Sequence, residues 1–476
     1  MCTLKIFLIC STFYSAIFAQ LTPKIAIVGG GIGGTSCAYF LRQLFRDKAE
    51  LTLYERDTIG GRLNVLNVDG DFYEAGGSVI HPSNKHMVDF TKLLGLSVRK
   101  PTSSRFGIYD GKQFVFEESE WHFITMAKFL WRYGISSLGL FKWVQSILSD
   151  FNRIYNLQEK EYAFTTLSGM LEWMNPSFRN MTQESLAAFL QRKSYSQLFL
   201  DELVQSINMV NYGQTNNISG FAGFVSLAGA DNNLWSVEGG NKRVPEGLLA
   251  KSKANIRTGD VSEIKLMADG TYALSFYDGS SKQNLSTAHY DIVVVACPLI
   301  RNSENIKFTN FQTDFFQFQS RFHPLVTTFV QGELNPLAFD QKAVPDEILT
   351  CKSSLSFNSL SKVSPVSEIK SKSKNRVYKV FSEKPLTEEV LKQLFKHTTG
   401  LKQKEWLAYP HYEVPKQLPP FLLHRRLYYT NAVELAASAM EMSAIAGKNV
   451  ALLAYNMWHH LDHKVDNYKE MHKDEL

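Results

Sequence analysis

The residues whose types and spacing can do chemistry begin at Gly29. Gly29, Gly31 and Gly34 stand in G-x-G-x-x-G spacing, with Gly33 in the same turn. They come directly after the apolar run Ile25–Val28 and before a helical pattern that reaches Leu44. A second apolar run, Leu51–Tyr54, ends in Glu55 and Arg56. Each part has a task in holding a dinucleotide. Gly29 permits the tight turn out of a strand, Gly31 lets the backbone approach a pyrophosphate, and Gly34 lets the helix pack closely on the strand. The helix start presents unpaired N–H groups and a positive dipole end to phosphates. Glu55, closing the second strand, is placed to accept hydrogen bonds from ribose hydroxyls. A glycine-rich structural turn is the competing reading of the glycines alone; the succession of strand, glycines, helix, strand and acid favours the dinucleotide.

The following residues select which dinucleotide. Ile59-Gly60-Gly61-Arg62 adds a glycine pair and a fixed cation, which suit a chain wrapping back over a long FAD molecule and have no use in a plain NAD domain. Glu74-Ala75-Gly76-Gly77-Ser78 and Trp235–Asn241 are further places of close backbone approach on the flavin side, although each also reads as an ordinary turn. Asn431 and Glu434 fall at the end of a strand expected over Leu427–Glu434, where ribityl hydroxyls need partners. Met440 lies in the small-residue start of a helix expected from Ala436 to about Leu461. The N-terminus of that helix can stabilise the negative charge that develops on the flavin N1–C2=O edge on reduction. Val261, at the start of an expected strand Val261–Met267, completes the set assigned to the cofactor. No catalytic acid or base is assigned. No second G-x-G-x-x-G occurs after residue 100, so molecular oxygen, not a nicotinamide, is the expected electron acceptor.

These residues need elements to position them. The chain has 476 residues, 44% hydrophobic and 20% charged, which is too long for one simple core and globular in composition. The expected fold class is α/β: a Rossmann-type FAD-binding domain with a second, α+β substrate domain. The first is discontinuous, residues 20–99, 235–310 and 425–462; the second comprises 100–234 and 311–424. Strands are expected at Asn255–Thr258, in a hairpin Val261–Met267/Tyr272–Tyr277 around Asp269-Gly270, and at Tyr290–Cys297. Trp121–Tyr155 is aromatic-rich with helical spacing. It reads as a core-facing helix pair, as the wall of a long apolar pocket including Trp131 and Trp143, or as a face resting on a membrane. Gly220–Gly229 is expected helical, Leu325–Gln331 and Val377–Phe381 extended, Ser353–Lys374 a solvated loop, and Thr387–His397 a helix. The prolines from Pro410 to Pro420 mark an irregular return.

The ends carry addresses. A single lysine, an apolar run Ile6–Phe18 and Ala19 form an expected signal peptide over residues 1–19, too short for the ~20 residues of a membrane span. Residues 463–476 are a tail ending Lys473-Asp474-Glu475-Leu476, an endoplasmic-reticulum retrieval signal read by the KDEL receptor. Asn180, Asn217 and Asn284 head N-x-[ST] sequons for glycosylation in the same compartment. Cys37, Cys297 and Cys351 remain after cleavage, which is no disulfide framework, and no metal site is expected. The net charge of +5, without a basic block, gives no footprint for nucleic acid.

The segments VEGGN (237–241), DIVVVACP (291–298) and above all NAVELAASAMEMSAIAGKNVALLAYN (431–456) resemble the prenylcysteine oxidase family, and the resemblance runs from the first strand to the final helix. It implies an amine-oxidase-like flavoprotein that oxidises the thioether of farnesyl- or geranylgeranyl-cysteine. Hydride leaves the allylic carbon beside sulfur, water adds, and the products are cysteine, the isoprenyl aldehyde and hydrogen peroxide. The family is typically lysosomal, whereas Lys473–Leu476 points to the endoplasmic reticulum. Another oxidase of amine-oxidase type and a catalytically silent lumenal flavoprotein stay open as alternatives.

Overall fold

Lys24–Val28 is the central strand of a nine-stranded sheet. Glu50–Glu55 flanks it on one side and Ile292–Val295 on the other, both parallel, with Leu427–Tyr429 beyond the latter. Strands covered on both faces read as unbroken apolar runs, and Ile25, Ala26, Ile27 and all of Ile292–Val295 are fully buried. Asn255–Leu266 is one strand where two were expected. Its first residues pair parallel with Glu50–Glu55, and past Gly259 it pairs antiparallel with Tyr272–Asp278. The structure, a computed structural model, describes residues 22–100, 105–231, 233–279, 283–300, 306–315, 321–367 and 376–467. The expected signal peptide and the Lys473–Leu476 tetrapeptide lie outside the described residues.

Register sets the site. Val28 stands opposite both Tyr54 and Val295, and Val295 opposite Tyr429. The next residues, Gly29, Glu55, Ala296 and Thr430, therefore emerge level along one crest. The chain leaves the central strand to one side first and returns later on the other, which makes this crest the switch point where open α/β sheets bind ligands. The helices Ile32–Phe45 and Met440–Trp458 pack together over it.

The second sheet has seven strands, in the order Phe395–Pro410, Phe322–Leu334, Val377–Ser382, Ser359–Val363, Glu347–Thr350, Phe106–Tyr109, Phe114–Glu117. Two sequence expectations are corrected here, and one element was missed. The stretch expected as a solvated loop contains the strand Ser359–Val363, whose serines and lysine hid a central position with Ser359 and Leu360 buried. The helix expected to His397, the second of these, ends at Leu394, and a 16-residue strand follows through Pro410. It is an edge strand with bulges, and its outward lysines obscure a period-two pattern. Nothing in the sequence reading anticipated the hairpin of Phe106–Tyr109 and Phe114–Glu117. Between the hairpin and Trp235 the chain is helical, including the expected helix Gly220–Ala228.

Candidate functional site

Three glycine segments are stacked at the crest. Gly29 has φ +115°, and a Cβ there would come 2.5 Å from the Ala296 carbonyl oxygen. The Gly60 N–H donates to the Gly30 carbonyl at 2.9 Å, laying the second glycine pair on the first turn. The third pair folds back on Arg62: Gly77 N–H donates to the Arg62 carbonyl at 3.2 Å, and a Cβ on Gly76 would strike that same oxygen. The segment 237–241 closes the series, with Asn241 N–H on Glu74 Oε1 at 2.6 Å and Asn241 Nδ2 on the Gly77 carbonyl at 2.9 Å. Segments far apart in sequence thus make one floor of glycine backbone, its segments hydrogen-bonded to one another. Glu55 lies at the edge of this floor and accepts the Gly30 N–H at 2.7 Å. The helix Ile32–Phe45 begins at Gly31 with no side-chain cap, so its positive end faces the crest.

At the other end of the floor stands an ion pair between a partly exposed guanidinium and a buried carboxylate. The Arg62 guanidinium donates to Glu434 Oε1 and, at 2.7 Å, to the Ala408 carbonyl. Burial lowers the proton affinity of Arg62, and Glu434 more than offsets this, so the cation is held. Glu434 is 1% exposed, and its Oε2 is a buried acceptor without a protein partner. Such atoms are uncommon in folded proteins and fit a ligand donor.

Asn431 and Glu434 lie in a 3-10 turn, Thr430–Leu435, not in a continued strand, and the long helix starts at Met440, not Ala436. The physical reason lies in two tyrosines. Tyr212 donates to the Ser438 carbonyl at 2.9 Å, and Tyr412 accepts the Ser438 N–H at 2.8 Å. They hold Ala436–Ala439 out of the helix and pack beside Tyr409, whose hydroxyl burial pushes up to about 12. Met440 abuts Gly77, where a Cβ would meet its side chain at 3.8 Å.

A second polar group at this helix start was not visible in the sequence. Glu441 is buried and accepts the His86 and Met87 N–H groups at 2.7 and 3.0 Å, capping the helix Lys85–Leu93, and also accepts Tyr155 OH at 2.8 Å. Burial pushes its carboxyl up to about 7 and pulls His86 down to about 4. The two act oppositely. The folded chain keeps a proton on Glu441 that the unfolded chain releases, so this contribution falls as pH rises from about 4.5 to 7. The unfolded chain protonates His86 first, so its contribution rises with pH from about 4 to 6.5. We expect E441Q to remove a downward slope of about 3 kcal/mol over the Glu441 window. Urea unfolding of both proteins at several pH values measures this, and parallel curves would refute a neutral Glu441.

The remaining predicted residues are placed as follows. Val261 lies just past Thr258, the register partner of Glu55, and pairs with Phe276 in the hairpin. Arg56 is exposed on the rim and Gly33 faces Thr430 and Ser443. Cys37, Cys297 and Cys351 are free thiols, and burial pushes the latter two up to about 12 and about 11, so they stay protonated. Asn180, Asn217 and Asn284 are exposed. The hydroxyl of Ser219 caps the helix Gly220–Ala228, giving that sequon residue a structural use as well. Trp131 does not line a pocket: it is 88% exposed, while Trp143 packs on Phe189 and Phe224.

Comparison with known proteins gives this geometry a context. A family model described as prenylcysteine lyase matches residues 116–467, and one described as an NAD(P)-binding Rossmann-like domain matches residues 27–94. Prenylcysteine oxidase 1 of Bos taurus is 42% identical, covering 97% of this chain and 94% of that protein. The prenylcysteine oxidase 1-like protein of Homo sapiens is 40% identical, covering 94% of each. Among solved structures, cyclohexylamine oxidase from Brevibacterium oxydans superposes with a TM-score of 0.60 at 13% identity, over 93% of this chain and 100% of that one. A putrescine oxidase variant gives 0.60 at 14% identity, over 91% and 99%. At such identities these structures speak to the fold alone.

Proposed function

This chain belongs to the prenylcysteine lyase family, which takes in the prenylcysteine oxidases it resembles, and on that premise we propose that it is an FAD-dependent prenylcysteine oxidase. Its substrates are a farnesyl- or geranylgeranyl-cysteine, oxygen and water; its products are cysteine, the isoprenyl aldehyde and hydrogen peroxide. The observation that carries this reading is the floor of stacked glycine segments on the switch-point crest, in a chain that matches such oxidases over nearly its whole length.

The residues fit the cofactor. Gly29–Gly34 and the uncapped helix start would hold its pyrophosphate, and Glu55 its ribose. Glu434, through its unpartnered Oε2, and Asn431 would hold the ribityl hydroxyls, with Gly76-Gly77 and the Met440 helix start beside the ring. The chemistry that FAD supplies when bound is removal of hydride from the carbon beside sulfur and delivery of the electron pair to oxygen. The chain's part is to orient that carbon, to exclude water until the hydride has left, and to hold positive dipole at the Met440 helix start.

The test is the visible spectrum of the purified protein under anaerobic farnesylcysteine. The flavin band should bleach, then return with peroxide when air is admitted. Cleavage without bleaching would make the protein a lyase in the literal sense; bleaching by an amine instead would move it to the amine oxidases.

The reading includes the lumen of the endoplasmic reticulum, with the KDEL receptor and a membrane surface as larger partners. Its support is the exposure of three sequon asparagines together with the terminal sequence motifs. Deleting Lys473–Leu476 should send glycosylated protein to the medium, and unchanged retention would remove the retrieval role.

A further inference from the structure

The helix His122–Tyr133, the turn Ile135–Ser137 and the helix Leu138–Phe151 present an apolar stripe that stays exposed among the described residues. Phe123 and Trp131, eight residues apart on the helix, are 69% and 88% exposed, and Ile135, just past the Gly134 turn, is 78% exposed. Trp121 and Phe141 extend the stripe at 63% and 48%. A soluble surface scatters single apolar residues, whereas a contiguous set of large ones marks an interaction site.

The fold imposes this orientation. On the inner side of the same helix, Arg132 makes a two-pronged pair with Glu202, Nε to Oε2 and a second nitrogen to Oε1, both at 2.6 Å. Tyr133 donates to the same carboxylate at 3.1 Å, and Phe129 packs edge-on against Phe199. The helix cannot roll to bury Trp131 without breaking that partly buried pair. The helices are also too short and too polar to span: no helix among the described residues is long and apolar enough to cross a membrane.

Charge identifies the occupant. From Trp121 to Ser149 the chain has no Asp or Glu, while it carries Lys128, Arg132 and Lys142. Arg132 is engaged inward, and Lys128 and Lys142 are exposed among the aromatic residues. Tryptophan, phenylalanine and lysine along a stretch free of acids, with Glu120 at its edge paired to Arg105, match the interfacial zone of a bilayer, where rings seat at headgroup level and lysines meet lipid phosphates. We propose that this face docks the protein on an anionic phospholipid bilayer, with Trp131, Phe123 and Ile135 entering the interface and Lys128 and Lys142 at its phosphates. The choice of a bilayer over a protein partner is strengthened by the amphiphilic substrate, and to that extent rests on the proposed function; the surface itself does not.

The test uses the full mature holoprotein in flotation with phosphatidylcholine vesicles, with and without phosphatidylserine. Wild type should float with phosphatidylserine vesicles and bind more weakly in high salt. F123S/W131S/I135S should lower the partition coefficient about tenfold or more. K128E/K142E should lower binding to phosphatidylserine vesicles about tenfold and leave binding to neutral vesicles unchanged. The proposal is overturned if wild type does not float, or if the triple variant floats as well as wild type. It is also overturned if sedimentation shows a wild-type dimer that the triple variant dissolves, because a second copy then covers the stripe. Turnover of prenylcysteine in vesicle-free buffer separates the two readings. Binding without turnover leaves the docking face and ends the oxidase; turnover without binding does the reverse.

Discussion

A Gly31→Val protein should fold like wild type and purify without colour. Gly31 has φ −71° and ψ −179°, a conformation open to any residue, and a Cβ built there meets nothing within 4 Å. The chain therefore has no structural need of glycine at this position, and stability should change by no more than about 0.5 kcal/mol. The open space lies at the start of the helix whose uncapped N–H groups face the crest, where the pyrophosphate must come close to backbone. Two added methyl groups there should weaken FAD binding by about 3 kcal/mol or more, roughly a hundredfold. Gly34→Ala should behave in the opposite way. Its Cβ would collide with the Gly29 carbonyl oxygen, the helix would have to leave the strand, and about 3 kcal/mol or more of stability should go with it. Flavin absorbance per protein and urea unfolding of the two variants measure both effects. A yellow G31V protein would show that no dinucleotide phosphate approaches Gly31.

The contrast shows what the sequence could carry. Ile25–Val28, the glycines and Leu51–Glu55 were legible because strand, turn and helix are neighbours in the chain, and their apolar runs have no competing interpretation. The meeting of Gly60-Gly61 with Gly30, and of Asn241 with Glu74, was only half legible: each segment could be marked as a close approach, but its partner could not be named. The tyrosines Tyr212, Tyr409 and Tyr412 left no signal, because their role depends on a fold that brings the end of one helix to an edge strand. Glu441 left no signal for the same reason: its carboxyl caps a different helix, 355 residues away in the chain. Local patterns record local physics, and a buried polar contact between distant segments leaves no period to detect.

Arg62→Ala is the second large effect, and its meaning depends on a double variant. Removing the guanidinium leaves the Glu434 carboxylate 1% exposed and without its cation, and strands the Ala408 carbonyl. Breaking a fully buried pair from one side costs about 3–5 kcal/mol because the remaining charge is uncompensated, and the 32% exposure of the Arg62 side chain places this pair at or below the lower end of that range. Adding Glu434→Gln removes that charge. R62A/E434Q should then recover most of the loss, and the coupling across the cycle should exceed about 2 kcal/mol. Flavin retention should follow a different order. Glu434 Oε2 is the acceptor left unpartnered by the chain, so E434Q alone, which turns one of the two oxygens into a donor, should lose flavin affinity while staying folded. Should E434Q hold flavin as tightly as wild type, Glu434 would be a structural counter-ion for Arg62 and nothing more. Should R62A/E434Q be no more stable than R62A, the cation's main service would be to the Ala408 carbonyl and the edge strand that carries it. Only recovery of the fold without recovery of the flavin fits an ion pair that holds one oxygen out toward the cofactor.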